Sequence, residues 1–255
     1  MNDDELTAPP APIFPAWRWS DLVLIVLGIG AIFFIGFLLL GSWLGLTELS
    51  PGEILQPSIE QSLALAALET VALVGAIYFL GMRRRGLSWA EIGLRPVSWR
   101  WIGIVTVVTL VAIPLTGLLT ILVLLALDLP LDNPQLDFLL PEGFSWLSAA
   151  GMLLLGGITA PFGEGLLFRG VLYPLLRNRW GPWPGVLGSS LIFAVAHGDV
   201  AVGVTGLVLG IILALVFEYS RSLWSAVLVH VLNNGLKILL LYILVALGFS
   251  AELGF

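Results

Sequence analysis

One internal glutamate, two histidines and an asparagine carry most of the chemistry this sequence can offer. The chain has 255 residues, no cysteine and only two histidines, His197 and His230. Without cysteine there is no thiolate nucleophile, no disulfide and no sulfur ligand for a metal. Glu164 stands in the stretch PFGEGLLFRGVLY, near the end of a long apolar run that also holds Arg169. His230 is followed at i+4 by Asn234, and Phe193 at i+4 by His197, so each pair shares a helix face. A carboxylate withdrawn from bulk water is a usable general base for a water molecule. An imidazole beside it can hold that water, while a second imidazole and an amide donate hydrogen bonds to a developing oxyanion. The same Glu and two His also make a competent zinc set with one position left open. Either arrangement leads to hydrolysis of an amide bond.

Other hydrolytic arrangements fit poorly. No HExxH helix is present, and Asp199 is the only aspartate near the interior of an apolar run. Ser189 and Ser190 lie two turns from His197 without a G-x-S-x-G elbow and read as small packing residues.

The elements that position these residues are membrane helices. The chain is 58% hydrophobic and 11% charged, with a mean hydropathy of +1.03. Soluble domains carry about 25% charged residues, so this is an integral membrane protein. A crossing needs about 20 apolar residues. Seven runs qualify: Leu22–Thr47, Gln61–Met82, Trp101–Leu127, about Trp146 to Leu176, Trp183–Gly198, Ala201–Phe217 and Leu223–Phe249. The last could be one helix or two. The expected architecture is an all-α polytopic transmembrane helical bundle of about seven (seven to eight) spans. Residues 1–20 read as a flexible tail and 21–255 as a single domain whose core is about 146–249.

Alternating spans put Arg18, Arg83, Arg84, Arg85, Arg95, Arg100, Arg177, Arg179 and Arg221 on one side. The other side receives Glu48, Glu53, Glu60, Asp128, Asp132, Asp137, Glu142 and Glu252. The positive-inside rule makes the amino terminus cytoplasmic. The arginine side is also expected to be the one from which a cavity opens. Asp199, Glu218 and Arg221 read as solvated or capping groups at short turns, Lys237 as a snorkelling or paired cation, and Glu69 as helix-packing glue.

The turn RNRWGPWPG (Arg177–Gly185) centres a hairpin near residues 180–181, with Glu164 and His197 each about sixteen residues away. Antiparallel helices at about 1.5 Å per residue would carry both side chains to one depth. His230 is harder to place. It lies only about nine residues from the cytoplasmic face, so either Leu223 begins below the surface or the turn near residue 200 is drawn inward.

EGLLFR (Glu164–Arg169), FAVAH (Phe193–His197) and HVLNN (His230–Asn234) resemble the Glu-Glu-x-x-x-Arg, Phe-x-x-x-His and His-x-x-x-Asn motifs of the CAAX protease and bacteriocin-processing (CPBP) family of intramembrane proteases. The resemblance covers about Pro161 to Lys237. It implies an intramembrane endopeptidase with Glu164, His197, His230 and Asn234 catalytic and with Arg169 and Phe193 supporting. The cofactor stays open: none, or a divalent metal such as zinc held by Glu164, His197 and His230. The partners implied are membrane lipids, a membrane-associated peptide or protein substrate, and in one reading a membrane protein complex, with no nucleic acid. The implied location is a bacterial inner (plasma) membrane.

One position departs from the motif, because Gly165 stands where the family has its second Glu. In an α-helix that Glu would pair with the Arg at i+4, whereas Glu164 lies about 140° away round the helix. Arg169 is therefore expected to find a carboxylate on another helix, Glu69 or Glu218. Gly165→Glu is expected to recreate the pair. The departure also keeps a second reading in view, a non-catalytic scaffold, assembly or immunity factor that retains the fold.

Overall fold

The computed structural model describes residues 14–43, 58–131, 139–140 and 144–249. Among these there is no strand, and seven helical rods follow one another: α1 (Trp19–Trp43), α2 (Ile59–Arg83), α3 (Trp99–Ala126), α4 (Trp146–Trp180), α5 (Pro182–Val195), α6 (Val200–Ser220) and α7 (Leu223–Ala246). All except α5 are long and apolar enough to cross a membrane. The all-α polytopic bundle is therefore present, with six full spans and a short seventh helix. The last apolar run is one helix through Ala246. Glu48, Glu53, Asp132, Asp137, Glu142 and Glu252 lie outside the described residues.

Helix starts follow from capping side chains. Ser58 caps α2 through a reciprocal box with Gln61, and Ser98, Ser145 and Asp199 each accept a backbone N–H at the starts of α3, α4 and α6. Inside α4 the winding changes twice. Segments with i→i+5 hydrogen bonding, Leu155–Thr159 and Leu166–Leu172, each end just ahead of a proline, Pro161 and Pro174. A proline in a helix removes an N–H and crowds the carbonyl four residues back. Widening the preceding turn relieves both, and Glu164 sits on the short α-helical stretch between the two wide turns.

The basic end of the bundle is tied together by the segment 14–21. Arg84 and Arg85 pair with the buried Asp21, Arg85 also donates to the Ala16 carbonyl, and Arg177 and Arg221 lie over the Phe14 ring. The end of the expected flexible tail is thus docked. Phe14 is buried against Tyr173 and Phe217, and the Trp17 indole donates to the Gly170 carbonyl at 2.7 Å. The rest of that tail lies outside the described residues.

Leu223 is buried at the start of α7. Its N–H donates to the Gly93 carbonyl at 2.7 Å, and the Ser222 hydroxyl donates to the Arg95 carbonyl at 2.6 Å. The loop between α2 and α3 therefore dips inward to close the start of α7. Leu223 lies beside Gly170, so seven residues up α7 and six residues back along α4 bring His230 and Glu164 to one level.

Candidate active site

Glu164 and His230 meet because α4 and α7 approach closely. A side chain at Gly165 would place its Cβ 2.9 Å from the Val227 Cγ2, and one at Gly157 would reach within 3.3 Å of the Gly235 Cα. Across this seam Glu164 Oε2 stands 3.6 Å from His230 Nε2. The His230 side chain is 3% exposed and that of Glu164 17%. Both line a cavity of about 590 Å³ that also takes in Phe193, His197 and Asn234.

His197 arrives differently from the expected way. Helix α5 stops at Val195, so His197 stands in the turn beyond it rather than within a span. Its Nδ1 lies 2.7 Å from the Phe193 carbonyl. A carbonyl can only accept, so Nδ1 carries the hydrogen and Nε2 is left as an acceptor in the neutral ring. Phe193 stands between the two imidazoles, its ring edge-on to His197 at 4.8 Å and to His230 at 5.8 Å. Glycines on α6 allow this packing: a Cβ at Gly206 would lie 3.5 Å from His197 Nδ1, and one at Gly210 would lie 3.1 Å from the Ser190 Cα.

Asn234 and its neighbour form a short amide chain. Asn233 Nδ2 donates to Asn234 Oδ1 at 3.0 Å, which leaves the Asn234 Nδ2 hydrogens for another acceptor. Asn233 is 1% exposed; as one of the few polar residues within the spans it was given no catalytic role, although its adjacency to Asn234 was the available signal. Glu69, expected as packing glue, and Lys237, expected as a snorkelling or paired cation, also face the cavity.

Among the described residues no carboxylate lies within ion-pair distance of Arg169, contrary to expectation. Glu218 is taken by Arg177 at 2.9 and 3.1 Å and by the Tyr173 hydroxyl at 2.6 Å, with Arg221 at 3.3 Å. Arg169 instead donates to the Gly210 carbonyl at 3.2 Å and lies over the Phe193 ring at 4.6 Å. Its Nε and Nη1 are unpartnered, and the residue is 1% exposed. The 140° separation from Glu164 also fails, because Leu166–Leu172 is wound with i→i+5 bonds that bring residues five apart toward one face. Gly165→Glu would not simply restore a pair, since its Cβ meets Val227 first.

The cavity does not run toward the arginines. Its lining on α7 extends from His230 to Leu241, away from the end that holds Arg177 and Arg221. A metal finds no ready cage: among the described residues no group of three or more His, Asp or Glu side chains is disposed to hold an ion. His197 Nδ1 faces a carbonyl, and only Glu164 and His230 form a close pair.

Residues 145–236 match the family model for type II CAAX prenyl endopeptidase Rce1-like proteins. This is the family resemblance carried by the three motifs, and the Rce1-like segment includes Glu164, Arg169, Phe193, His197, His230 and Asn234. It spans α4 to the middle of α7, a stretch that carries most of the residues lining the cavity. No curated protein and no solved structure matches the chain.

Proposed function

We propose that this protein is an intramembrane endopeptidase that hydrolyses a peptide bond of a membrane-associated substrate. The observation that carries the reading is the Glu164–His230 pair, 3.6 Å apart on the wall of a cavity inside a bundle of membrane-spanning helices. The Rce1-like match over the same helices supports it.

In this reading Glu164 takes a proton from water while His197, through its acceptor Nε2, holds that water in place. The hydroxide adds to the carbonyl carbon, and Asn234 Nδ2 with His230 stabilises the oxyanion. Glu164 then returns the proton to the departing amine as the C–N bond breaks, which leaves a carboxylic acid and an amine. The donor groups as disposed make no three-ligand metal set, so no step is routed through an ion. The positive-inside rule gives a cytoplasmic amino terminus, and the membrane in this proposal is a bacterial inner membrane.

Neutralising the base tests the assignment. Glu164→Gln should slow turnover by about 10²–10⁴-fold, the usual worth of general-base catalysis. Comparing the peptides released in membranes carrying wild type and Glu164→Gln reads this whatever the substrate is. Identical peptide profiles would favour a scaffold that keeps the fold without the chemistry.

A further inference from the structure

One carboxylate in the cavity has no part in the hydrolysis outlined above. Glu69 lies on α2, ten residues beyond its start at Ile59 and so about 15 Å below that helix end, too deep for its short side chain to reach the surface. Among the described residues it forms no ion pair. The neighbouring Thr70 hydroxyl is turned to the Ala66 carbonyl and to Thr159 instead. An ionisable group kept at that depth faces a water-filled cavity and marks a binding site or an ion path.

A second unsatisfied acceptor stands at the same level. The Thr70 and Thr159 hydroxyls are 3.1 Å apart, which sets Glu69 beside the Thr159 turn of α4. On the other side of α4, Gly157 meets Gly235 and Gly165 meets Val227, so α7 runs in the opposite direction. Asn233, two residues before Gly235, is therefore level with Thr159, two residues after Gly157. Asn233 lines the cavity with Glu69, is 1% exposed, and has no hydrogen-bond partner for its Oδ1. A buried acceptor without a donor is a cost that the N–H of a ligand relieves.

We propose that Glu69 and Asn233 form a cation subsite that holds an ammonium or guanidinium of the substrate. A carboxylate and an amide oxygen both accept, so their common partner must bring N–H hydrogens. Glu69, Glu164 and Asp199 outnumber the one lysine in the cavity, so its field draws a positive charge. Among the described residues no cage of three His, Asp or Glu side chains surrounds Glu69, which favours an organic cation over a metal ion. Glu164 is five residues beyond Thr159 on α4, or about 7–8 Å, and an extended peptide spans about 3.3–3.6 Å per residue. The cation therefore sits about two residues from the bond that Glu164 addresses. A basic side chain and the amino terminus of a chain offer the same chemistry. That distance rests on the protease reading, whereas the binding does not.

The test uses purified full-length protein in detergent and three probes: acetyl-Leu-Leu-Leu amide, acetyl-Leu-Leu-Lys amide, and Leu-Leu-Leu amide with a free amino terminus. Binding is read from the rise in Tm. One or both cationic probes should bind about ten- to a hundredfold more tightly than the neutral one, the range of a charge-assisted contact. The lysine probe preferred alone assigns a basic side chain, and the free amine preferred alone assigns a chain terminus. Glu69→Gln should abolish the preference, and Glu69→Asp should keep it, which guards against a fold defect in the first variant. Asn233→Leu should lower it by about two- to tenfold, the worth of one neutral hydrogen bond. Equal binding of all three probes to wild type, or a preference that survives Glu69→Gln, would overturn the subsite. So would a Glu69-dependent rise in Tm given by sodium or magnesium chloride and by neither cationic peptide, which would assign the carboxylate to an inorganic ion. Glu164→Gln protein should show the same preference, so an absence of turnover in every version would sink the protease and leave the subsite. Cleavage without preference for a cation would do the reverse.

Discussion

Gly165→Ala adds one methyl group where α4 and α7 touch. That methyl would stand 2.9 Å from Val227 Cγ2, whereas carbon atoms pack best at about 3.5–4.0 Å, so a gap of about 0.6–1 Å must open. Valine in a helix is held to about one rotamer, so the yielding part is the α7 backbone. His230 lies one turn beyond Val227 on α7 and Glu164 is adjacent to residue 165, so their 3.6 Å gap opens with the seam. Overpacking of this kind costs about 1–3 kcal/mol, and a displacement near 1 Å at a reacting pair costs about 10²-fold in rate. Alanine favours a helix over glycine by about 1 kcal/mol, which opposes the loss, so the single variant is ambiguous in sign. The decisive quantity is the coupling with Val227→Ala, which removes the offending Cγ2. A double-mutant cycle on thermal or denaturant unfolding should return a coupling of at least about 1 kcal/mol, with activity recovering in the double variant. Additive effects, or a Gly165→Ala protein as active as wild type with Val227 intact, would refute the tight seam. Gly165→Glu carries the same methylene plus a longer chain and should lose activity rather than gain it.

Phe193→Leu removes the ring that Arg169 covers and that both imidazoles meet edge-on. Each such contact is worth about 0.5–1.5 kcal/mol, and peptide release should fall well before the Tm does. Trp17→Phe deletes the bond to the Gly170 carbonyl and should lower stability by about 1 kcal/mol, read as an earlier unfolding transition. Glu218→Gln leaves Arg177 and Arg221 without their shared carboxylate and should destabilise the protein by about 1–3 kcal/mol in low salt. Cleavage of the loop at 86–98 by added protease should occur in inside-out vesicles and be absent in right-side-out ones.

Which side chains meet in the cavity was more legible in the sequence than the path of the chain. Two histidines in an apolar chain, each four residues from a partner, were enough to pick out Phe193, His197, His230 and Asn234, which now share one cavity. Six of the seven expected spans were legible from run length, because hydrocarbon thickness sets it, and α5 alone proved too short. What escaped was everything that depends on departures from ideal winding. The wide turns of α4 were signalled by Pro161 and Pro174, but α-helical arithmetic gives Arg169 the wrong azimuth. The early end of α5 carried no punctuation before Gly198, and Val195 to His197 read as helix by composition alone. Partners of Arg169 could not be inferred either, since a guanidinium can be held by a ring face and a carbonyl that have no charge to betray them.

The shortness of α5 bears on the lipid as well as on the site. Fourteen residues reach about 21 Å, while the hydrocarbon core of a bilayer is about 30 Å thick. Trp183, Leu187, Leu191 and Val195 are exposed along its outer side, so acyl chains meet an apolar strip about 9 Å too short. A bilayer answers such mismatch by thinning locally, at a cost of fractions of a kcal/mol per ångström. The thinnest lipid around this protein therefore lies beside the turn that carries His197, and the interfacial water comes closest there. Acyl chain length becomes a control on hydration of the cavity: long-chain lipids draw the hydrocarbon back over that turn, and short-chain lipids leave it wet.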